Sequence, residues 1–293
     1  MAEHAAPRVR RPATARPRRD ARAKADGPQA PDRAELERIE RQLTGLAEVL
    51  GATASADAEL GALLVRWPGH GPAFNHASSV RWQQPALATR LAALTARAEA
   101  DGNLPAIVVA DGLTEPSDLA DHLRADGWVS LIRERIMWTA EPTVVPHLDP
   151  TMRIEAVTPA SARAYEVVER AVFGLAASEA EERAATLAAS LESGLQRAYL
   201  VRARGTPIAT ARLVVRDGIA ALHGIGVIAD QRRRGYGTLV AIVASRAALA
   251  MGSRLVWLSV AEENAAGRGL YERLGYRHAF DWQLLVQPVG RSS

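Results

Sequence analysis

The chain has 293 residues, 48% of them apolar, a formal net charge of +3 and no cysteine. That length allows two domains of ordinary size with a substantial core. The lack of cysteine removes disulfides, thiolate metal ligands and a covalent acyl-cysteine route together, and fits a reducing compartment. No apolar run reaches the roughly 18 residues of a membrane span, and the start lacks the apolar core of a secretory signal. A cytoplasmic protein with no membrane contact is therefore expected. The basic residues are almost all arginine, Lys24 being the one lysine, which reads as a coding bias rather than a dedicated nucleic-acid surface.

Residues 1–33 carry clustered Arg, scattered Pro and no apolar period, so they are expected to form a disordered tail. A nucleic-acid-binding arm is the rival reading, and the absence of interleaved aromatics argues against it. From Ala34 to Leu50 the positions Leu36, Ile39, Leu43 and Leu46 follow helical spacing, with Asp32 as a candidate cap. A loop rich in Gly and Pro follows around Trp67–Pro72, then Phe74-Asn75-His76 and Val80-Arg81-Trp82 as a strand, and a helix from Pro85 to Ala100. His70 and His76 lie across that loop with no third ligand nearby, so they read as hydrogen-bonding side chains and no metal is expected. Ala106–Val109 reads as a buried strand, Glu115–Ala125 as a helix and Trp128–Trp138 as a long strand.

Three prolines mark residues 141–150 as a linker. The chain thus divides into a first domain at 34–140 and a second at 151–288, with a short tail at 289–293. The second domain opens with a strand at Met152–Ala156 and helices at Pro159–Phe173 and Ser178–Leu191. Three strands follow, at 197–204, 207–215 and 219–228, the last two joined by Asp217-Gly218, a hairpin signal.

Next comes Gln231-Arg232-Arg233-Arg234-Gly235-Tyr236-Gly237-Thr238, a glycine loop between a strand and a helix. Such a loop lets backbone N–H groups turn inward, and the helix start adds unpaired donors and positive potential, so it suits a phosphate. The Lys-Ser/Thr ending of a nucleotide-hydrolysing loop is absent, and the spacing departs from the dinucleotide pattern G-x-G-x-x-G. Downstream, Leu255–Val260 reads as a strand, followed by Asn264 and a helix ending Leu270-Tyr271-Glu272-Arg273-Leu274-Gly275-Tyr276.

These two linked motifs, R-x-x-G-x-G and Asn followed by L-Y-x-x-L-G-Y, resemble those of the GNAT superfamily of acyl-CoA-dependent N-acyltransferases. The resemblance covers residues 151–287. It implies an α/β (α+β) fold with a mixed, mostly antiparallel central sheet flanked by helices. The order strand, helix, Gly-aromatic, strand also occurs in the first half, which reads as a degenerate copy lacking the Arg/Gly loop and any Tyr at the place of Tyr271. Such a copy would serve as scaffold or as one wall of an acceptor pocket.

The resemblance further implies N-acetyl transfer from acetyl-CoA, a cosubstrate, to a primary amine by direct attack in a ternary complex. The alternative is a non-catalytic acyl-CoA sensor or scaffold. Ile225 and Val227 would flank the pantetheine, a Val227 N–H favouring the oxyanion, and the stretch Arg232, Arg233, Arg234, Gly235, Tyr236, Gly237 and Thr238 would take the diphosphate. Asn264 reads as a helix cap, a pantetheine contact, or both. Tyr271 is the candidate general acid, since a phenol is protonated at neutral pH; its rival role is core packing. His223 is a candidate base: in a regular strand it would share a face with Ile225 and Val227. Glu262 and Glu263 are the reserve bases. The acceptor and the oligomeric state are left open.

Overall fold

The computed structural model describes residues 28–143 and 151–288. Most of the expected tail, most of the expected linker and the segment 289–293 lie outside the described residues. Eight α-helices are assigned among them: α1 (Arg33–Gln42), α2 (Gly45–Leu50), α3 (Leu87–Ala100), α4 (Leu119–Ala125), α5 (Ala162–Phe173), α6 (Ala180–Glu192), α7 (Tyr236–Ala250) and α8 (Ala265–Arg273). The strands are β1 (Thr53–Asp57), β2 (Ala62–Arg66), β3 (His76–Ser78), β4 (Ala106–Ala110), β5 (Val129–Thr139), β6 (Met152–Ala156), β7 (Arg197–Ala203), β8 (Thr206–Arg216), β9 (Ile219–Val227), β10 (Val256–Ala261) and β11 (Arg277–Val286).

All eleven strands join one sheet in the order β1-β2-β3-β4-β11-β5-β10-β9-β8-β7-β6. Neighbours are antiparallel except β3–β4 and β9–β10, so the sheet is mixed and mostly antiparallel. Its centre shows an exchange. β11, the last strand of the chain, pairs with β4 and β5 of the first half, while β5 pairs with β10 of the second. Each half thus completes the other's sheet.

Strand alternation gives the sheet two apolar faces. On one, Leu213, Leu222 and Leu258 pack under Leu239 and Val240 of α7, and Ile107, Val109 and Leu285 pack under α3 and α4. On the other, Ile39 of α1 and Val49 of α2 meet Ala221, Trp257 and Ile136, while Tyr165, Val168 and Leu187 of α5 and α6 meet Ala198 and Leu200. A capping box closes the start of α1, Asp32 accepting from the Glu35 amide and Glu35 from the Asp32 amide, which satisfies two otherwise orphaned donors. The β8–β9 turn places both Asp217 and Gly218 at positive φ, the conformation that two-residue hairpins require.

Three sequence expectations change. The helix expected over 34–50 is broken at Leu43-Thr44, where Thr44 and Gly45 lower helix propensity. The hairpin β1–β2 appears where no element was expected: Ala, Ser and Asp make β1 a poor strand former, and Leu63–Val65 of β2 is too short an apolar run to declare itself. Val80–Trp82 forms no strand beyond a single bridge at Arg81; the strand of that region is β3.

Candidate active site

β9 and β10 run parallel and pair only as far as Leu222↔Leu258. Beyond that pair they diverge into a V. Within the V lies a cleft of about 670 Å³. Ile225 and Val227 line it from β9, Arg232, Arg233, Gly235, Tyr236, Gly237 and Thr238 from the loop and α7, and Asn264 and Tyr271 from α8. Of the expected site residues Arg234 and His223 are absent from its lining, as are the reserve bases. Val172 and Phe173, at the end of α5, also line it; nothing in their local sequence marked them.

The loop has the geometry of an anion cradle. Arg233 and Gly235 have φ of +65° and +86°, left-handed values that turn successive amides toward one side. Among the described residues, the amides of Tyr236, Gly237 and Thr238 make no backbone hydrogen bond, and no side chain caps α7. Donors and helix potential are therefore available to an anion. Arg232 Nε donates to the Val227 carbonyl at 3.1 Å, fixing the loop to the end of β9, whereas Arg233 and Arg234 form no ion pair among the described residues. Glycine at 237 has a different cause: a Cβ there would lie 3.3 Å from Leu270 Cδ1, so its absence lets α7 approach α8.

Tyr271 is buried, 8% exposed, with its ring 5.8 Å from that of Tyr276. Burial pushes its phenol pKa above the ordinary value, so the group stays protonated and able to donate at neutral pH. Asn264 caps α8, its Oδ1 accepting from the Gly267 amide at 2.9 Å, and lines the cleft as well. Glu262 and Glu263 are exposed and do not line the cleft.

His223 departs from expectation. In β9 two residues, Gly224 and Ile225, stand opposite the single Ala211 of β8, a bulge between the pairs Arg212↔His223 and Thr210↔Gly226. The extra residue reverses the alternation. Ile225 and Val227 keep to the α7 face, while His223 turns to the α5 face and packs edge-on against Trp257 at 5.7 Å. Its Nε2 is sealed from solvent and lacks a partner. Burial, assisted by the nearby Arg212 charge, holds its pKa down to about 4. Arg212 is itself buried and donates to Glu169 Oε1 at 2.9 Å and to Tyr165 at 3.3 Å.

The first half differs at the corresponding place. There the segments after β3 and β4 remain stitched together, Glu115 N donating to Val80 O at 3.1 Å and Trp82 N to Glu115 O at 2.8 Å. The Trp82 side chain, 1% exposed, fills the core beside them and donates to Leu60 O at 2.6 Å. His70 stacks on Trp67 at 3.8 Å, and His76 Nδ1 lies 3.2 Å from the Pro72 carbonyl.

Residues 163–276 match the model of the acetyltransferase (GNAT) family. Among solved structures, a GCN5-related N-acetyltransferase from Kribbella flavida is 20% identical with a TM-score of 0.68, covering 88% of this chain and 97% of its own. A GCN5-related N-acetyltransferase from Sphaerobacter thermophilus is 19% identical with a TM-score of 0.59, covering 88% and 94%. A tandem GNAT protein from the clavulanic acid biosynthesis pathway is 14% identical with a TM-score of 0.59, covering 88% and 98%. At such identities the likeness is one of fold, and it extends over both halves. No curated protein matches the chain.

Proposed function

We propose, from the match of residues 163–276 to the GNAT-family acetyltransferase model, that the protein moves an acetyl group from acetyl-CoA to a primary amine. The observation that carries this reading is the cleft itself: a V between parallel strands, open beside a glycine loop whose amides are free. The residues present fit coenzyme A. Free amides at Tyr236 to Thr238 and the Arg233 and Arg234 guanidinium groups would hold the diphosphate, charge-assisted hydrogen bonds being the strong ones. The apolar wall of Ile225 and Val227 suits the pantetheine arm.

The reaction joins an amine nitrogen to the thioester carbonyl carbon and breaks the C–S bond. Backbone N–H at Val227 would favour the oxyanion, and Tyr271, kept protonated by burial, would supply a proton to the departing sulfur. Cysteine is absent, in keeping with direct attack rather than a thiol-bound intermediate.

The test is titration calorimetry with acetyl-CoA, then release of free thiol with a primary-amine panel: tyramine, spermidine, glycinamide and a lysine peptide. Binding with turnover of at least one amine supports the reading; no heat with acetyl-CoA sinks it. Tyr271→Phe separates an enzyme from an acyl-CoA sensor, since turnover should fall while affinity for acetyl-CoA holds.

A further inference from the structure

The cleft does not stop at the sheet. α7 and α5 pack on opposite faces, yet Val172 and Phe173 at the end of α5 line the same cavity as the glycine loop and Tyr271, so the opening passes between the diverging strands and emerges beside α5. Val172 marks the passage. A Cβ at Gly226 would collide with its Cγ1, which sets α5 directly against the β9 backbone one residue before Val227. The strand end whose amide would meet the oxyanion is thus backed by the last turn of α5.

That wall is apolar and carries no spare carboxylate. Phe173, the last residue of α5, is 48% exposed, and Val172 and Ile225 stand with it in the lining. Leu175, just past the helix end, is exposed as well. Among the described residues no Asp or Glu lines the cleft. The two carboxylates of α5 are committed elsewhere, Glu169 accepting from Arg212 at 2.9 Å and Glu166 from Arg183 at 2.7 Å. What α5 does offer is its C-terminus: among the described residues the carbonyls of Ala171, Val172 and Phe173 accept no backbone hydrogen bond, and a helix end of that polarity favours one amine N–H.

We infer, resting on the acetyl-transfer reading, that the acceptor is a small monoamine with an aromatic or branched apolar body, which lies on Phe173 while its nitrogen reaches the thioester carbonyl past Val172. An apolar body gains by covering a half-exposed phenyl ring. A second ammonium would leave water for a wall that holds no partner for it, which is costly. Polyamines and lysine-rich peptides are disfavoured on that count. Phe173 thereby sets the choice of acceptor rather than the hold on coenzyme A.

The experiment follows thiol release at saturating acetyl-CoA with tyramine, glycinamide and spermidine in turn. Wild type should use tyramine with a kcat/KM at least about 10-fold above the other two. Phe173→Ala should raise the tyramine KM about 10-fold, with acetyl-CoA affinity by calorimetry unmoved, and Phe173→Leu should recover most of that loss. Phe173→Glu should swing the preference toward spermidine, because it supplies a carboxylate where none lines the cleft. Glycinamide or spermidine used as well as tyramine by wild type overturns the inference and leaves acetyl transfer standing. So does a tyramine KM unchanged in Phe173→Ala, or a loss shared equally by all three amines. Weaker acetyl-CoA binding in that variant would assign Phe173 to the cofactor wall, and overturns the inference too. A wild-type chain that neither binds acetyl-CoA nor turns over any amine removes the functional reading, and this inference with it.

Discussion

Trp257, in the middle of β10, donates its indole N–H to Gln42 Oε1 at 3.1 Å, across 215 residues of sequence. Both side chains are buried, at 0% and 6% exposure, and Gln42 Nε2 in turn donates to the Arg216 carbonyl at 2.8 Å. One amide of α1 therefore satisfies an indole from β10 and a carbonyl at the end of β8. The same indole ring backs His223 on the face of the V that the acceptor would approach. Gln42→Leu would leave a donor and an acceptor without partners, each costing about 1–3 kcal/mol when buried. Urea unfolding followed by tryptophan fluorescence should show a lower midpoint with unchanged slope. A midpoint equal to wild type would mean that water replaces Gln42 freely.

Gly226 tests how closely α5 lies on the V. A Cβ at that position would sit 2.3 Å from Val172 Cγ1, a distance that real contacts never reach. Gly226→Ala is thus expected to cost about 1–3 kcal/mol through overpacking. The double variant Val172→Ala/Gly226→Ala should recover most of that loss, because the methyl then occupies space that valine vacates. Since the residues touch, their effects should couple strongly in thermal unfolding. Additive losses would place the cause in the backbone of the bulge instead.

What the sequence disclosed and what it hid divide along chemical lines. The glycine loop was legible because Arg232 to Gly237 must supply glycine conformations at fixed positions in one short segment, and Leu270 to Tyr276 likewise. The exchange of β5 and β11 was not legible. The apolar alternation of Trp128–Trp138 is the same whichever strand lies beside it, so nothing local names β10 as its partner. The bulge at Gly224-Ile225 escaped notice because a single inserted residue leaves composition unchanged while reversing which face His223 occupies. Val172 and Phe173 looked like the ordinary end of an amphipathic helix, and only the fold brings them to the cleft.

Acid should destabilise this protein over a definite window. Burial holds both His76 and His223 to about 4 in the folded chain, whereas a histidine in the unfolded chain titrates near about 6.5. Between these values the unfolded state binds protons that the folded state refuses, so stability falls as pH is lowered through the window. Glu134 acts in the opposite sense, its raised pKa giving the folded state the extra proton. Thermal midpoints should therefore decline from about pH 6.5 downward, and His76→Gln should flatten that decline at neutral-pH stability close to wild type. An unchanged slope in the variant would show that His76 protonates in place.

On the proposed function, the filled core of the first half should limit the chain to one coenzyme A site. Trp82 is 1% exposed, and its indole and backbone N–H both donate to carbonyls, of Leu60 and Glu115. Trp82→Ala should cost about 3–5 kcal/mol, in the range for removing a large aromatic from a core. It should not create a second acetyl-CoA site, because a hole is not a cradle. The segment that follows β3 keeps its hydrogen bonds to Glu115, and no glycine loop with free amides precedes α3. Calorimetry should give one acetyl-CoA per chain for wild type, and one for the variant at a temperature where it remains folded. A stoichiometry of two in either protein would mean that the first half retains a working diphosphate site, and that the stitching between Val80, Trp82 and Glu115 opens in solution.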